Sequence, residues 1–447
     1  MKKIVLIIFL LSSMIINAQF NSNLKPNEGL MQGGFGLNWV DGQPFYSLRI
    51  TPEFGFANFG LGLDLNLAID SKGNFRKENY NEFTDYLSII RYARYGHKHD
   101  PIYVKVGSLD YTTLGHGSIM YMYNNSPTFD ARRIGAQFDM DFNEFGFESV
   151  YGNFAQAGVF GIRGYVRPLK LTSMKEIPVI SNMEVGVSFV TDFNENAGVI
   201  SGGIDPLNGE FKALTDEGSV SIFGFDLGLP IVRTDMFNLD VYYDFVKIMD
   251  FGSGSTAGIK AELNGLGLVS LGAKFERRFN GDEFIPSYFN ALYETERFNF
   301  DPTTGQVRSK VAMLKGLKSS ESNGFFGELE TNVVDLFRVL GSYERLDKEP
   351  KSGALHLTAE VIPKDFPFIA RAGYDKINIE DESDLFTLDD RSYLFAELGY
   401  KPMPYLVVSM VYNWTFTPLR DSDKNIIGYE PQKWIEPRVS FVYPLNL

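Results

Sequence analysis

Apolar and polar residues alternate one for one along much of the chain. Leu61, Leu63, Leu65 and Leu67 alternate with Gly60, Gly62, Asp64 and Asn66, and Ile134, Ala136, Phe138 and Met140 with Gly135, Gln137, Asp139 and Asp141. The rhythm returns at Phe223, Phe225 and Leu227, at Leu239, Val241, Tyr243 and Phe245, at Val269, Leu271, Ala273 and Phe275, and at Leu355, Leu357, Ala359 and Val361. Successive strand residues point to opposite faces, so each segment predicts a strand with one apolar and one polar face. No long amphipathic helix stands out. The pattern predicts an all-β chain.

A two-faced strand suits a soluble sandwich as well as a membrane barrel, and connection lengths separate the two. In the last third, long connections (299–323, 347–352, 380–391, 417–434) alternate with short ones (near Val334-Asp335, at Pro363-Lys364-Asp365, and at Lys401 to Pro404), and a final strand runs from about Pro437 to Tyr443. Long loops at one end and short turns at the other are the habit of outer-membrane barrels. Most segments hold roughly 9–12 residues, enough to cross a bilayer when tilted. Lipid offers no partner to backbone groups, so only a closed sheet satisfies β structure there. The expectation is a single closed antiparallel transmembrane β-barrel with long extracellular loops and short periplasmic turns. It should hold about 18–20 strands, an even number because both ends lie on the periplasmic side.

The opening MKKIVLIIFLLSSMIINAQF has basic Lys2 and Lys3, an apolar run from Ile4 to Leu11 and a small-residue cleavage site at Ile16-Asn17-Ala18. That reads as a signal peptide over residues 1–18, leaving 19–447 as the barrel. Cysteine is absent, which excludes disulfides, thiolate metal sites and a cysteine nucleophile. A formal charge of −14 argues against nucleic acid as a partner. Aromatic residues make up 15% of the chain, as suits belts at a membrane surface.

Candidate chemistry concentrates between residues 90 and 170. The stretch YTTLGHGSIMYMYNN, Tyr111 to Asn125, holds Gly115-His116-Gly117 but has Met120 where a dinucleotide fingerprint needs its third glycine, and no helix follows. It lies in a connection of some length that is too apolar for a solvated loop. It predicts a loop tucked into the lumen, with Thr113, Gly115, His116, Gly117, Tyr121 and Asn124 as inward residues, or else a strand extension at the rim. His97 and His99, with Asp100, are weak metal candidates in a turn, and His116 would lie at the far end of the barrel from them. Arg91, Arg94, Arg132, Arg133, Arg163 and Arg167 fall in neighbouring strands. Facing Asp139, Asp141 and Glu148, they are lumen and selectivity candidates: either they set a transverse field at a constriction or they pair locally and brace the wall. Ser118 and His116 share a face, but nothing supplies the third group a hydrolase needs, so no enzyme and no cofactor are expected.

The signal-peptide ending Asn17-Ala18-Gln19, the strand rhythm and the aromatic content resemble porin-like outer-membrane barrels of Gram-negative bacteria, of the Bacteroidota type. The block DPIYVKVGSLDYTTLGHGSIMYMYNN, followed by RRIGAQFDMDF and GIRGYVRP, resembles an uncharacterised family of such barrels. The resemblance implies the fold and an outer-membrane location and names no substrate. The resulting expectation is a passive channel for small hydrophilic solutes whose partners are outer-membrane lipid and those solutes, with a homo-oligomer or an envelope-complex partner left open. The rival is a non-conducting structural or secretion-complex barrel whose lumen is filled by loops such as 111–131 or 195–217.

Overall fold

A computed structural model describes residues 28–446, apart from 78–79, 81–82, 99, 127–131, 178, 265–266, 302, 319–322, 334–335 and 362–365. The signal-peptide segment and His99 lie outside the described residues. The wall begins with β1 (Glu28–Val40), β2 (Gln43–Ile50, resuming as Glu53–Phe56), β3 (Phe59–Leu63, resuming as Leu65–Asp70), β4 (Ile90–Tyr95) and β5 (Ile102–Gly107). It continues through β6 (Gly135–Asp141), β7 (Phe145–Tyr151), β8 (Val159–Val166), β9 (Glu184–Asp192) and β10 (Val220–Arg233). Next come β11 (Phe237–Ile248), β12 (Ser253–Leu263), β13 (Val269–Asn280), β14 (Gly324–Val333) and β15 (Phe337–Leu346). The last are β16 (Gly353–Val361), β17 (Phe368–Ile379), β18 (Ser392–Met403), β19 (Leu406–Arg420) and β20 (Ile426–Asn446).

Each strand pairs antiparallel with its sequence neighbours, and β1 pairs with β20 from Glu28↔Asn446 to Val40↔Trp434. The two edges of the sheet are therefore hydrogen-bonded to each other, which is what a backbone in lipid requires. The sheet contains 22 strands among the described residues, and counting each interrupted strand once gives 20 around the ring. β2 is broken at Pro52, which has no N–H for the ladder; its carbonyl instead accepts from Leu63 N at 2.9 Å. β3 is broken at Asp64, whose N–H donates to Ile89 O at 2.7 Å.

Connections obey the expected asymmetry. One end carries the turns between β2 and β3, β6 and β7, β10 and β11, and β18 and β19, each of two or three residues, together with both termini of the described chain. In barrels of this kind that end faces the periplasm. Its exception joins β8 to β9 through short 3-10 helices at Pro168–Leu171, Ser173–Glu176 and Ile180–Asn182. The opposite end carries connections 71–89, 108–134, 193–219 and 281–323. One expected long loop is not there: 417–434 is mostly strand, since β19 runs to Arg420 and β20 starts at Ile426, well before Pro437. The two simply keep pairing beyond the rest of the wall, up to Arg420↔Ile426.

The outer face is apolar and uncovered. Phe223 and Phe225 on β10, Tyr243 and Phe245 on β11, and Met410 on β19 are exposed, while their neighbours Asp226, Tyr242, Asp244 and Ser409 are buried. Exposed rings ring the short-turn end: Phe56, Phe59, Tyr95, Phe142, Phe145, Phe368, Tyr400 and Tyr405. They touch between paired strands, Phe59 on Tyr95 at 4.9 Å and Phe368 on Tyr400 at 5.2 Å between centroids. This is the aromatic girdle that marks a lipid–water boundary. None of the described helices is long and apolar enough to cross a membrane. Placing a charge on this face tests it: Phe225→Arg should destabilise the barrel by about 2–4 kcal/mol, the cost at the bilayer midplane, read as a lowered urea midpoint in lipid vesicles.

Candidate functional site

Connection 108–134 leaves the wall after β5 and folds into the lumen. Thr112 and Tyr123 exchange backbone hydrogen bonds of 2.8 Å, so the excursion is a closed hairpin-like loop. Its apolar side chains explain its position: Leu109, Met120 and Tyr123 are fully buried. Gly115 (φ +56) and Gly117 (φ +97) hold the tip in the left-handed region, and a Cβ on Gly115 would lie 2.9 Å from Arg163 Cδ, so the close approach requires glycine.

The tip is tied to the wall on several sides. His116 Nδ1 lies 2.7 Å from Asp244 Oδ1 on β11, and the imidazole stacks on Tyr242 at 4.2 Å between centroids. Ser118 Oγ donates to the other oxygen of Asp244. Lys274 on β13 donates to His116 O, and Tyr121 OH donates to Glu328 on β14. On the far side Tyr111 packs edge-on against His356 of β16, which is held by Asp375 at 2.7 Å. Contacts with β11, β13, β14 and β16 at once place the loop across the lumen rather than along the rim.

A second connection, 281–323, enters beside it. Tyr121 N donates to Phe289 O, and Phe289 N and Ser287 N donate to Ile119 O and Ser118 O. Phe284, Tyr288, Phe289 and Tyr293 pack with Met120 and with wall residues Val190, Ile222, Val246 and Ile248 into one apolar core inside the barrel. Buried polar groups lock it: Asp192 accepts from Tyr293 OH and both arms of Arg297, and Glu294 accepts from Tyr123 OH and pairs with Arg133. The second filler is therefore 281–323 rather than 195–217. The latter forms strands Val199–Ile204 and Phe211–Asp216, which join Phe298–Asp301 and Gln306–Ser309 in a four-stranded sheet at the long-loop end, with Leu207 and Leu214 exposed.

The second filler also reaches the wall at β17 and β19, where Leu292 packs with Ile377 and Phe416. A cavity of about 150 Å³ opens between the root of the first loop and the wall. Arg49, Arg91, Arg132 and Arg133 line it, with Asp64, Ser88, Ser108, Ser126, Tyr393 and Thr415. Arg49 grips Asp64 through Nε at 2.9 Å and Nη2 at 2.8 Å, and Arg132 Nη1 lies 3.3 Å from the same carboxylate. Arg91 pairs with Glu53. Four guanidinium groups thus meet here against three carboxylates, Asp64, Glu53 and Glu294, and a planar cation that cannot lose its proton is suited to two-pronged contact with oxyanions.

The arginines of the sequence reading divide into two groups. Arg91, Arg132 and Arg133 meet at this opening. Arg163 and Arg167 do not: Arg163 bonds Glu148 at 2.7 Å, Glu184 at 2.6 Å and Asp226 at 2.6 Å, and Arg167 grips Asp141 through two bonds of 2.8 Å. Those pairs join neighbouring strands β6 to β10 and brace the wall locally instead of facing one another across the pore. Asp139 lies with them, accepting from Ser149 N and Gln137. Arg94 donates to Gly96 O in its own turn, and Asn124 accepts from Ser126 N. Arg49 and Asp64 were not singled out, although Ser47 and Arg49 alternate with Tyr46, Leu48 and Ile50 as lumen residues should.

The histidines are not a bilayer apart. Lys98 in the turn after β4 donates to Thr113 O at 2.6 Å, because the loop descends to that level. His97 lies 3.6 Å from Asp100, while His116 is spent on Asp244. Ser118 and His116 bond the two oxygens of one carboxylate, and among the described residues no hydrogen bond joins them to each other. Burial disfavours the His116 imidazolium, but the Asp244 carboxylate and its hydrogen bond outweigh that, with Asp226 adding and Arg163 opposing; its pKa is raised above the ordinary 6.5. A raised folded-state value means the clasp contributes fully below about pH 6.5 and loses its contribution as pH rises through the folded value. Protease cleavage within the loop should therefore become faster from pH 6 to pH 9 in the wild type and stay unchanged in His116→Phe.

These features define the class: a closed antiparallel barrel of the outer-membrane type, with lipid-facing apolar strands and inward loops. No protein-family model matches the chain, and no curated protein matches its sequence. Among solved structures it is similar to the outer membrane protein OprD from Pseudomonas aeruginosa, at 9% identity over 94% of each chain and a TM-score of 0.33. It is also similar to OccK5 (OpdH) of the same organism, at 11% identity over 94% of this chain and 98% of that one, TM-score 0.33. OccAB2 of Acinetobacter baumannii gives 12% identity over 93% and 97%, TM-score 0.31. At such scores the overlap is coarse, and the class follows from the ladders and faces described above.

Proposed function

We propose that the chain is an outer-membrane channel through which small hydrophilic solutes diffuse passively, and that its narrow part favours anions. The carrying observation is the arginine-lined opening beside the inward loops: polar side chains line it, and guanidinium groups outnumber carboxylates there. Lumen charge sets ion preference in channels, and a ring of twenty strands is wide enough to keep an aqueous passage beside its fillers. The formal charge of the whole chain, −14, does not oppose this, because selectivity follows the charges at the constriction.

The test is single-channel recording of the purified protein in a planar bilayer under a salt gradient. Discrete open steps with a reversal potential on the anion side are expected, and Arg49→Gln with Arg132→Gln should move that potential toward zero. A second reading, a non-conducting barrel, is favoured by the apolar core that the two loops build inside the lumen. Silence of a folded barrel would establish it in place of the channel.

A further inference from the structure

The connection between β17 and β18, residues 380–391, folds back over the outside of the barrel. Side-chain directions on β17 establish this. Asp375 holds His356, on which the inward Tyr111 packs, and Ile377 packs with Leu292 of the second inward loop, so 375 and 377 face the lumen. Tyr374 and Lys376 alternate with them and face outward. Tyr374 stands in a row with Leu357 on β16, Leu394 on β18 and Trp414 on β19. Phe368, on the same face of β17, is 52% exposed, yet Tyr374 is 6% and Lys376 0% exposed.

What covers them is the connection. Tyr374 OH donates to Leu385 O at 2.8 Å. Lys376 Nζ donates to Thr387 O at 2.7 Å and to Asp389 at 2.9 Å, and lies 3.2 Å from Asp384. Trp414 Nε1 donates to Asp389 O at 2.8 Å, and Arg391 holds Asp384 through two bonds of 3.0 Å. A lysine aimed from a barrel into lipid is costly. Here two carboxylates and a carbonyl enclose it. Phe368 belongs to the short-turn girdle. At about 3.3 Å per residue and a tilt of about 40°, the run from Phe368 to Tyr374 and Lys376 climbs roughly 15–20 Å, which ends inside an apolar band about 25 Å tall.

The tip of the connection suits that depth. Leu385-Phe386-Thr387-Leu388 is its apolar stretch, set between Glu380-Asp381-Glu382-Ser383-Asp384 and Asp389-Asp390. Asp384 and Asp389 are spent on Lys376 and Arg391, and Glu380 pairs at 2.8 Å with Lys351 of the connection between β15 and β16, at the long-loop end. Phe386 leans on the Tyr374 ring at 5.7 Å between centroids and is 68% exposed.

We propose that residues 380–391 form an external flap that binds lipid: Phe386 is immersed among the acyl chains of the outer leaflet, and the flap shields the Lys376 ammonium from them. The occupant is lipid rather than a second copy of the chain, because the flap continues the apolar outer face through the row Leu357, Tyr374, Leu394 and Trp414. The flap is independent of whether the lumen conducts.

The chain contains no cysteine, so a single introduced thiol carries a spin label at one place. Phe386→Cys is labelled and reconstituted in phosphatidylcholine vesicles. Met410→Cys on the lipid-facing wall and Leu207→Cys on the exposed sheet at the long-loop end serve as references, and each variant is first shown to run as a heat-modifiable band. Power-saturation spectra then report access to oxygen, which concentrates in lipid, and to a neutral nickel chelate, which stays in water. The oxygen-to-nickel ratio at 386 is expected to match that at 410 and to exceed that at 207 several-fold. A ratio equal to that at 207 overturns the proposal, since the tip is then in water. Access to neither reagent overturns it too, and means that a second copy covers the tip. In the double variant Asp384→Asn with Asp389→Asn, nickel access at 386 should rise several-fold as the flap leaves the wall; unchanged access overturns the clasp on Lys376.

Discussion

In the proposed channel, replacing Thr113 to Met122 by Asn-Gly between Thr112 and Tyr123 is expected to raise single-channel conductance several-fold and to weaken ion selectivity. The ends of the excision already exchange backbone hydrogen bonds, so a two-residue turn closes the pair with a small local shift. The deleted segment contributes almost nothing to the wall. It supplies His116, Ser118, Met120 and Tyr121, the groups that hold the plug to Asp244, Glu328 and Phe289. With them gone, Asp244, Lys274 and Glu328 face water, and the cross-section that the loop filled becomes passage. The variant should still run as a heat-modifiable band, since the β1–β20 ladder is untouched. A folded variant with unchanged conductance would mean that the loop does not restrict the pore.

The second large effect concerns stability. Asp192 is fully buried and accepts from both arms of Arg297 and from Tyr293 OH. Asp192→Ala strands a guanidinium in an apolar core, and breaking a buried pair from one side costs about 3–5 kcal/mol. Arg297 belongs to the second inward loop and Asp192 to the end of β9, so the loss should appear as release of that loop: early protease cleavage within 281–323 and a lowered urea midpoint in detergent. Removing both partners, Asp192→Ala with Arg297→Leu, should recover part of the loss. A single variant within about 1 kcal/mol of wild type would mean the pair is no stronger than a surface ion pair.

Strand existence was legible in the sequence wherever the lumen face stayed polar. Asp226 and Asp244 turn inward and Phe225 and Phe245 outward, as alternation requires. The rhythm blurs where the lumen face packs on a loop. Val220, Ile222, Val246 and Ile248 face inward and are apolar because their neighbours are Met120, Phe289 and Tyr293 rather than water. That partner lies far away in sequence, and no local pattern announces it. The inward loop itself was legible from its apolar composition, but its depth was not: contact of Lys98 with Thr113 depends on how far the loop descends. Arg49 escaped notice because it stands alone in β2, whereas Arg132-Arg133 advertises itself. Grouping arginines by sequence proximity also united two sets with different surroundings, one paired inside the wall and one lining the opening.

The seam between β1 and β20 carries a consequence for assembly. Because the first and the twentieth strand complete the circle together, no partial barrel has all its rungs joined. Until they meet, one sheet edge is the earliest strand and the other is whichever was inserted last, and both expose bare amides to lipid. Insertion strand by strand would leave both edges unpaired in lipid at every step before the last, which favours closing the ring together with crossing the bilayer.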